Sequence, residues 1–134
     1  MTDYICVRDS AISGKGVFAL KRIEKGQVLG AYEGERLTLE EFSTRYPSDN
    51  SVYVLDIGDG QFIDARDPEK SNFARYINSP RGTTKKPNIV FLKKGIIAAL
   101  KRIQKDEELL VSYGRKYYWN EELKKKTKNE DRIN

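Results

Sequence analysis

The chain has 134 residues, 38% hydrophobic and 34% charged, with a net charge of +5. That length suits one domain around one core, and the composition is not polar enough to leave the chain disordered. A single cysteine, Cys6, and the absence of histidine exclude a disulfide framework, a zinc cluster of several cysteines and imidazole acid–base chemistry.

Tyr4 to Arg8 alternates and is rich in β-formers, so it reads as a strand. Gly14 and Gly16 punctuate, and Val17-Phe18-Ala19-Leu20 resumes as a strand. Glu24-Lys25-Gly26-Gln27 is a turn, and Val28 to Tyr32 the next strand. Thr38 to Tyr46 reads as a helix: Thr38 caps it, Glu41 completes a capping box, and Leu39, Phe42 and Tyr46 share one face. Pro47 stops it. Val52 to Ile57 is a strand, Gly58-Asp59-Gly60 a hairpin turn and Gln61 to Asp64 the returning strand.

Ser71 to Asn78 suits a helical turn or two, and Pro80 to Pro87 a loop. Ile89 to Leu92 and Ile96 to Leu100 are strands around Lys93-Lys94-Gly95, and Leu109 to Tyr113 is a last apolar strand. Tyr117 to about Lys126 is amphipathic and reads as a helix that then frays. Many short strands, little helix and no βαβ alternation argue an all-β or β-dominated α+β domain. The expected layout is one domain over residues 1–120 and a basic tail over 121–134.

The positive charge is local, in Lys124-Lys125-Lys126-Thr127-Lys128 and at Arg81, Lys85, Lys86, Lys93 and Lys94. Such runs are either a solvated face or an electrostatic attractor for nucleic acid. No run of 18 or more apolar residues suggests a membrane span, and the first residues lack the pattern of a secretion signal. An intracellular, reducing compartment is expected. Cys6 has no histidine to activate it and is a poor candidate nucleophile.

Four segments, in order, resemble the SET-domain family of protein lysine methyltransferases. Ser13-Gly14-Lys15-Gly16-Val17-Phe18-Ala19 is similar to its G-x-G segment, followed by a matching turn at Ile23 to Gly26 and by Ala31-Tyr32-Glu33-Gly34-Glu35. Phe62-Ile63-Asp64-Ala65 is similar to its "I-D-A" strand. Ser71-Asn72-Phe73-Ala74-Arg75-Tyr76-Ile77-Asn78 resembles "N-x-x-R-F-I-N-H", and Glu107-Glu108-Leu109-Leu110-Val111-Ser112-Tyr113-Gly114 resembles "G-E-E-L-x-x-x-Y-G". The last two are the specific ones. Asn78-Ser79 replaces the family's Asn-His, as in its PR-type branch, and Pro87-Asn88 stands for the end of its "C-x-P-N" after an inserted loop. The flanking cysteine-rich zinc modules are missing, as in small viral members that act as dimers.

The resemblance implies a fold of small curved sheets with a C-terminal pseudoknot and few short helices. It implies S-adenosylmethionine as methyl donor and no metal. Lys15, Gly16, Phe18, Tyr53, Arg75, Tyr76, Asn78 and Ser79 would line the cofactor pocket, with Tyr117 or Trp119 stacked on adenine. Tyr113 would orient the lysine nitrogen and stabilise the transferring methyl, and Tyr32 would form the opposite channel wall. Val111 and Tyr118 would shape the substrate channel, and the smallness of Val111 would admit di- or trimethyl states. Glu33, Glu35, Asp56 and Asp59 are candidates for an acidic entrance. The partners implied are a protein with a basic lysine-bearing tail, a histone by analogy, non-specific DNA contact through the basic tail, and a second copy of the chain. The location implied is the nucleus, or a host nucleus for a viral protein. A catalytically weak or inactive chromatin or DNA adaptor is the alternative.

Overall fold

The computed structural model describes residues 3–48 and 51–112. Among them the chain forms β1 (Ile5–Asp9), β2 (Lys15–Ala19), β3 (Val28–Ala31), β4 (Glu35–Thr38), α1 (Leu39–Arg45), β5 (Val54–Gly58), β6 (Gln61–Asp64), β7 (Ile89–Phe91) and β8 (Ile96–Ala99). The strands make an antiparallel pair β1-β2 and two three-stranded antiparallel sheets, ordered β3-β8-β7 and β4-β6-β5. Short 3-10 turns lie at Pro68–Lys70, Phe73–Tyr76 and Lys93–Gly95.

Alternation along the strands divides apolar residues between two clusters. In the β4-β6-β5 sheet, Leu55, Ile57 and Ile63 point into the main core, while Leu37, Val54 and Phe62 point to the other face. The main core gathers residues from every sheet, with Tyr32, Phe91, Ile97 and Ile103 among its largest fully buried side chains. Ile23 and Ile103 exchange backbone hydrogen bonds at 2.8 and 2.9 Å, which ties the two related turns together.

The second cluster is closed by α1. Thr38 accepts from the Glu41 N–H at 3.1 Å, and the Glu41 carboxylate accepts from the Thr38 N–H at 2.9 Å, completing the expected capping box. Phe42 stacks on Phe62 with centroids 4.3 Å apart, and Tyr46 packs beside it. Such ring pairs are worth about 1 kcal/mol beyond burial. Arg45 and the Tyr46 hydroxyl reach the same Asp64 oxygen at 3.0 and 2.7 Å.

Two features differ from the sequence expectation. β4 is a strand although Glu35-Arg36-Leu37-Thr38 lacks strand composition, because all four of its residues pair in register with β6. The run after Leu109 is no regular strand. Instead, Glu108 bridges Phe18, Leu110 bridges Asn78, and Val111 bridges Ile89, the last two in parallel. A short segment is thus threaded between three others. The expected helix at 117–126 lies outside the described residues.

Candidate functional site

The threaded segment is where the motifs meet. Leu109 donates its N–H to the Val17 carbonyl at 2.7 Å, and Val111 donates to the Asn78 carbonyl at 3.0 Å. Asn88, 2% exposed, stitches the segment from below. Its side-chain amide donates to the Glu108 carbonyl at 2.8 Å and the Glu107 carboxylate at 3.1 Å, and its carbonyl oxygen accepts from the Leu110 N–H at 2.7 Å. The Asn78 Nδ2 donates to the carbonyls of Ser13 and Lys15, both at 3.0 Å, and to Glu108 Oε2 at 2.9 Å. One amide thereby joins the glycine-rich loop, the third motif and the fourth.

Gly16 has no substitute in this arrangement. A Cβ there would collide with the Glu108 carboxylate and crowd Ser10. Gly34 is under the same restriction against the Asp64 carbonyl, which is backbone and cannot move aside. These close approaches explain the second glycine of the G-x-G segment and the glycine after Glu33 better than turn geometry does.

The third motif is set by Asn72. Its side chain caps the turn at the Ala74 N–H, 3.1 Å, and its Nδ2 donates to the Ala31 carbonyl at 2.8 Å and to Glu33 at 2.7 Å. Arg75 is then carried inward, 8% exposed. Its guanidinium donates to the Ala65 and Arg66 carbonyls at 2.9 and 3.1 Å, and lies 4.2 Å from the Tyr53 ring centroid and 4.9 Å from that of Tyr76. Arg75 therefore fixes two half-buried tyrosine rings by cation–π contact. Lys15, exposed, pairs with Asp9 at 2.7 Å. The hydrogen bond to Asp9 and its charge raise the Lys15 pKa, with a smaller upward push from the Tyr76 phenol.

Tyr32 is 2% exposed and packs edge-on against Phe91. Its hydroxyl donates to the Tyr53 carbonyl at 2.6 Å. Val111 is 2% exposed and belongs to the main core. Phe18 is half-buried under the Arg8 guanidinium, 4.9 Å from its centroid. Ser79 and Ser112 line an open cleft of about 600 Å³ against the Pro80–Lys85 loop. Tyr113, Tyr117, Tyr118 and Trp119 lie outside the described residues.

Of the candidate acidic residues, Glu35 is paired with Arg45 at 3.3 Å, Glu33 holds Asn72, and Asp56 accepts from the Gly58 N–H at 2.9 Å. Those three are engaged in structure, and Asp59 sits at the turn with φ 56°. Sequence reading placed Glu108 and Asn88 in motifs but gave neither a role; both are buried polar side chains. A clue for Glu108 was its place directly before the apolar run Leu109-Leu110-Val111.

Three small antiparallel sheets around a threaded segment, with the glycine-rich loop laid across it, define a SET-like fold. The chain superposes on a Polycomb Repressive Complex 2 structure from Chaetomium thermophilum with a TM-score of 0.70 and 25% identity, covering 87% of this chain and 16% of that one. It superposes on the methyltransferase domain of human PR domain-containing protein 2 with a TM-score of 0.61 and 31% identity, covering 85% and 79%. The SET domain family model matches residues 14–114, and the chain belongs to that family.

Among curated proteins it is 38% identical over 108 residues to histone-lysine N-methyltransferase set-17 of Caenorhabditis elegans, covering 78% of this chain and 38% of that protein. It is 36% identical over 118 residues to histone-lysine N-methyltransferase trithorax of Drosophila melanogaster, covering 83% of this chain. The chain spans 38% and 3% of the lengths of these two relatives.

Proposed function

We propose that this chain is an S-adenosylmethionine-dependent protein lysine N-methyltransferase acting on a histone tail in the nucleus. The observation that carries this reading is the convergence of Lys15–Gly16, Asn78 and the segment entering Tyr113, joined through the Asn78 amide. Relatives named as histone-lysine N-methyltransferases support the activity and the substrate class, and a solved neighbour named as a methyltransferase domain supports the activity.

The described residues fit the cofactor. Tyr53 and Tyr76 offer flat half-buried faces held by Arg75, and the exposed Lys15 ammonium, paired with Asp9 at 2.7 Å, has further hydrogens to offer a carboxylate. When bound, the cofactor supplies an electrophilic methyl group on a sulfonium. The chain's own part is to align and to dry the site. A lysine amine carries its proton up to about pH 10.4 and has no lone pair while charged. Burial in an aromatic channel and a nearby positive charge both favour the neutral amine. Holding the reacting atoms in line contributes about 7–11 kcal/mol, so no histidine is required.

Tyr113 is assigned the reaction centre, orienting the amine and stabilising the transferring methyl, with weak help from the Tyr76 or Ile77 carbonyl. Tyr32 is assigned the facing wall. Its hydroxyl is already anchored on the Tyr53 carbonyl, so its part is shape. Val111, small and packed in the core, is assigned to admit di- or trimethyl products, and monomethyl product alone after exhaustive methylation of a peptide, read by mass spectrometry, would count against it. Tyr117 or Trp119 is assigned to adenine and Tyr118 to the channel. DNA contact through Lys124–Lys128 and a homodimer belong to the same proposal.

The test is incubation of labelled cofactor with core histones. Wild type should transfer methyl groups, and Tyr113→Phe should lose about 100-fold in rate, the size of one lost transition-state contact. Ser79 in the place of the family's histidine favours one other reading, an adaptor without catalysis. Absence of S-adenosylmethionine binding in calorimetry would select it.

A further inference from the structure

We propose that Glu108 is a positioning residue of the cofactor seat, acting by locking the glycine-rich loop to Asn78. This inference rests on the methyltransferase reading of the same site.

Glu108 is 5% exposed, and among the described residues it forms no ion pair. A buried carboxylate without a cation is costly unless its hydrogen bonds demand it. Here they do. The carboxylate accepts from Ser10 Oγ at 2.9 and 3.0 Å and from Asn78 Nδ2 at 2.9 Å. The Ser10 oxygen in turn accepts from the N–H groups of Ile12 and Ser13, at 3.0 and 3.4 Å. Its two lone pairs are taken, so its proton must go to Glu108.

Both neighbours of the carboxylate are therefore donors. Oε2 accepts from both and Oε1 accepts again from Ser10, so hydrogens at either oxygen position would face a donor. A glutamine must place hydrogens at one of them: with its oxygen toward Asn78 it still accepts from both donors, but its amide hydrogens face a serine with no lone pair to spare. Turned over, its amide faces the Asn78 amide, donor against donor. The missing Cβ at Gly16 makes room for this carboxylate. The Asn78 amide, pointed inward by Glu108, then grips the Ser13 and Lys15 carbonyls. Glu108 touches none of the reacting atoms. It determines where Lys15–Gly16 and Asn78 stand relative to each other, and those are the walls assigned to the cofactor.

The experiment is calorimetric titration with S-adenosylmethionine and steady-state kinetics on a histone peptide. The proteins are wild type, Glu108→Gln, Ser10→Ala and, as a control at the helix cap of α1, Thr38→Ala. Glu108→Gln should weaken cofactor binding about tenfold, as expected for loss of one charge-assisted hydrogen bond. Its kcat at saturating cofactor should stay within about threefold of wild type, since transition-state contacts are untouched. Ser10→Ala should show the same split to a smaller degree, and it decides the matter if Glu108→Gln does not fold. Thr38→Ala should lower the melting temperature without changing cofactor affinity. Wild type binding the cofactor while Glu108→Gln binds it equally well overturns the positioning role alone. The same holds if affinity merely tracks melting temperature across all variants. Failure of wild type to bind overturns the methyltransferase reading beneath it.

Discussion

Two buried carboxylates mark two differently built regions. Asp64, 1% exposed, lies under α1, where Arg45 reaches it at 3.0 Å and the Tyr46 hydroxyl at 2.7 Å. Glu108, 5% exposed, lies in the threaded segment and is held by neutral donors. The first region closes contacts between residues near in sequence, with a capped helix and stacked rings on a hairpin. The second joins residues 10, 78 and 108, and its contacts are hydrogen bonds of small side chains. Local closure is cheap in chain entropy, and long-range closure is not. The α1 region can therefore be strong without being exact, whereas the threaded region depends on every donor having its acceptor.

Asn88→Ala presses hardest on this contrast. It strands the Leu110 N–H and the Glu108 carbonyl in the interior, and each orphaned group costs about 1–3 kcal/mol. Urea unfolding should show a loss of about 3 kcal/mol or more. Asp64→Asn comes next. It removes the charge facing Arg45, whose side chain is 27% exposed and so partly solvated. About 2 kcal/mol is expected by the same measurement, smaller than for a fully buried pair. Thr38→Ala deletes the helix cap and should cost about 1 kcal/mol, with cofactor affinity unchanged. A comparable loss of affinity for Thr38→Ala and Asn88→Ala would erase the distinction between the regions.

The smallest effect is a pH dependence. Burial raises the Tyr46 pKa above its ordinary value of 10.0, and the hydrogen bond to Asp64 adds to it. A phenol raised on folding contributes stability that is complete below its unfolded pKa and is lost as pH rises through the folded one. Thermal unfolding should therefore weaken above about pH 10 in wild type, and less steeply in Tyr46→Phe.

How far the sequence could be read follows the same division. The capping box at Thr38 and Glu41, the hairpin at Gly58–Gly60 and the strand Gln61–Asp64 depend on neighbours in the chain, and each was legible. β4 was not, since Glu35 to Thr38 becomes a strand only through pairing with β6. The run from Leu109 has strand composition yet makes isolated bridges to three partners, a matter of topology that period and propensity do not encode. Motif resemblance assigned Lys15, Arg75 and Asn78 to the site. It did not show that Arg75 serves two tyrosine rings and two carbonyls, nor that Glu108 faces Gly16. Those roles come from atoms brought together by threading.

The most direct measurement is amide hydrogen exchange of the whole chain with and without S-adenosylmethionine. Cofactor-dependent protection should fall on residues 10–16, 76–79 and 108–112 together, and leave α1 at 39–45 unchanged. Protection confined to α1 and its sheet, or absent from any one of those three segments, would contradict a cofactor seat built by the threaded region.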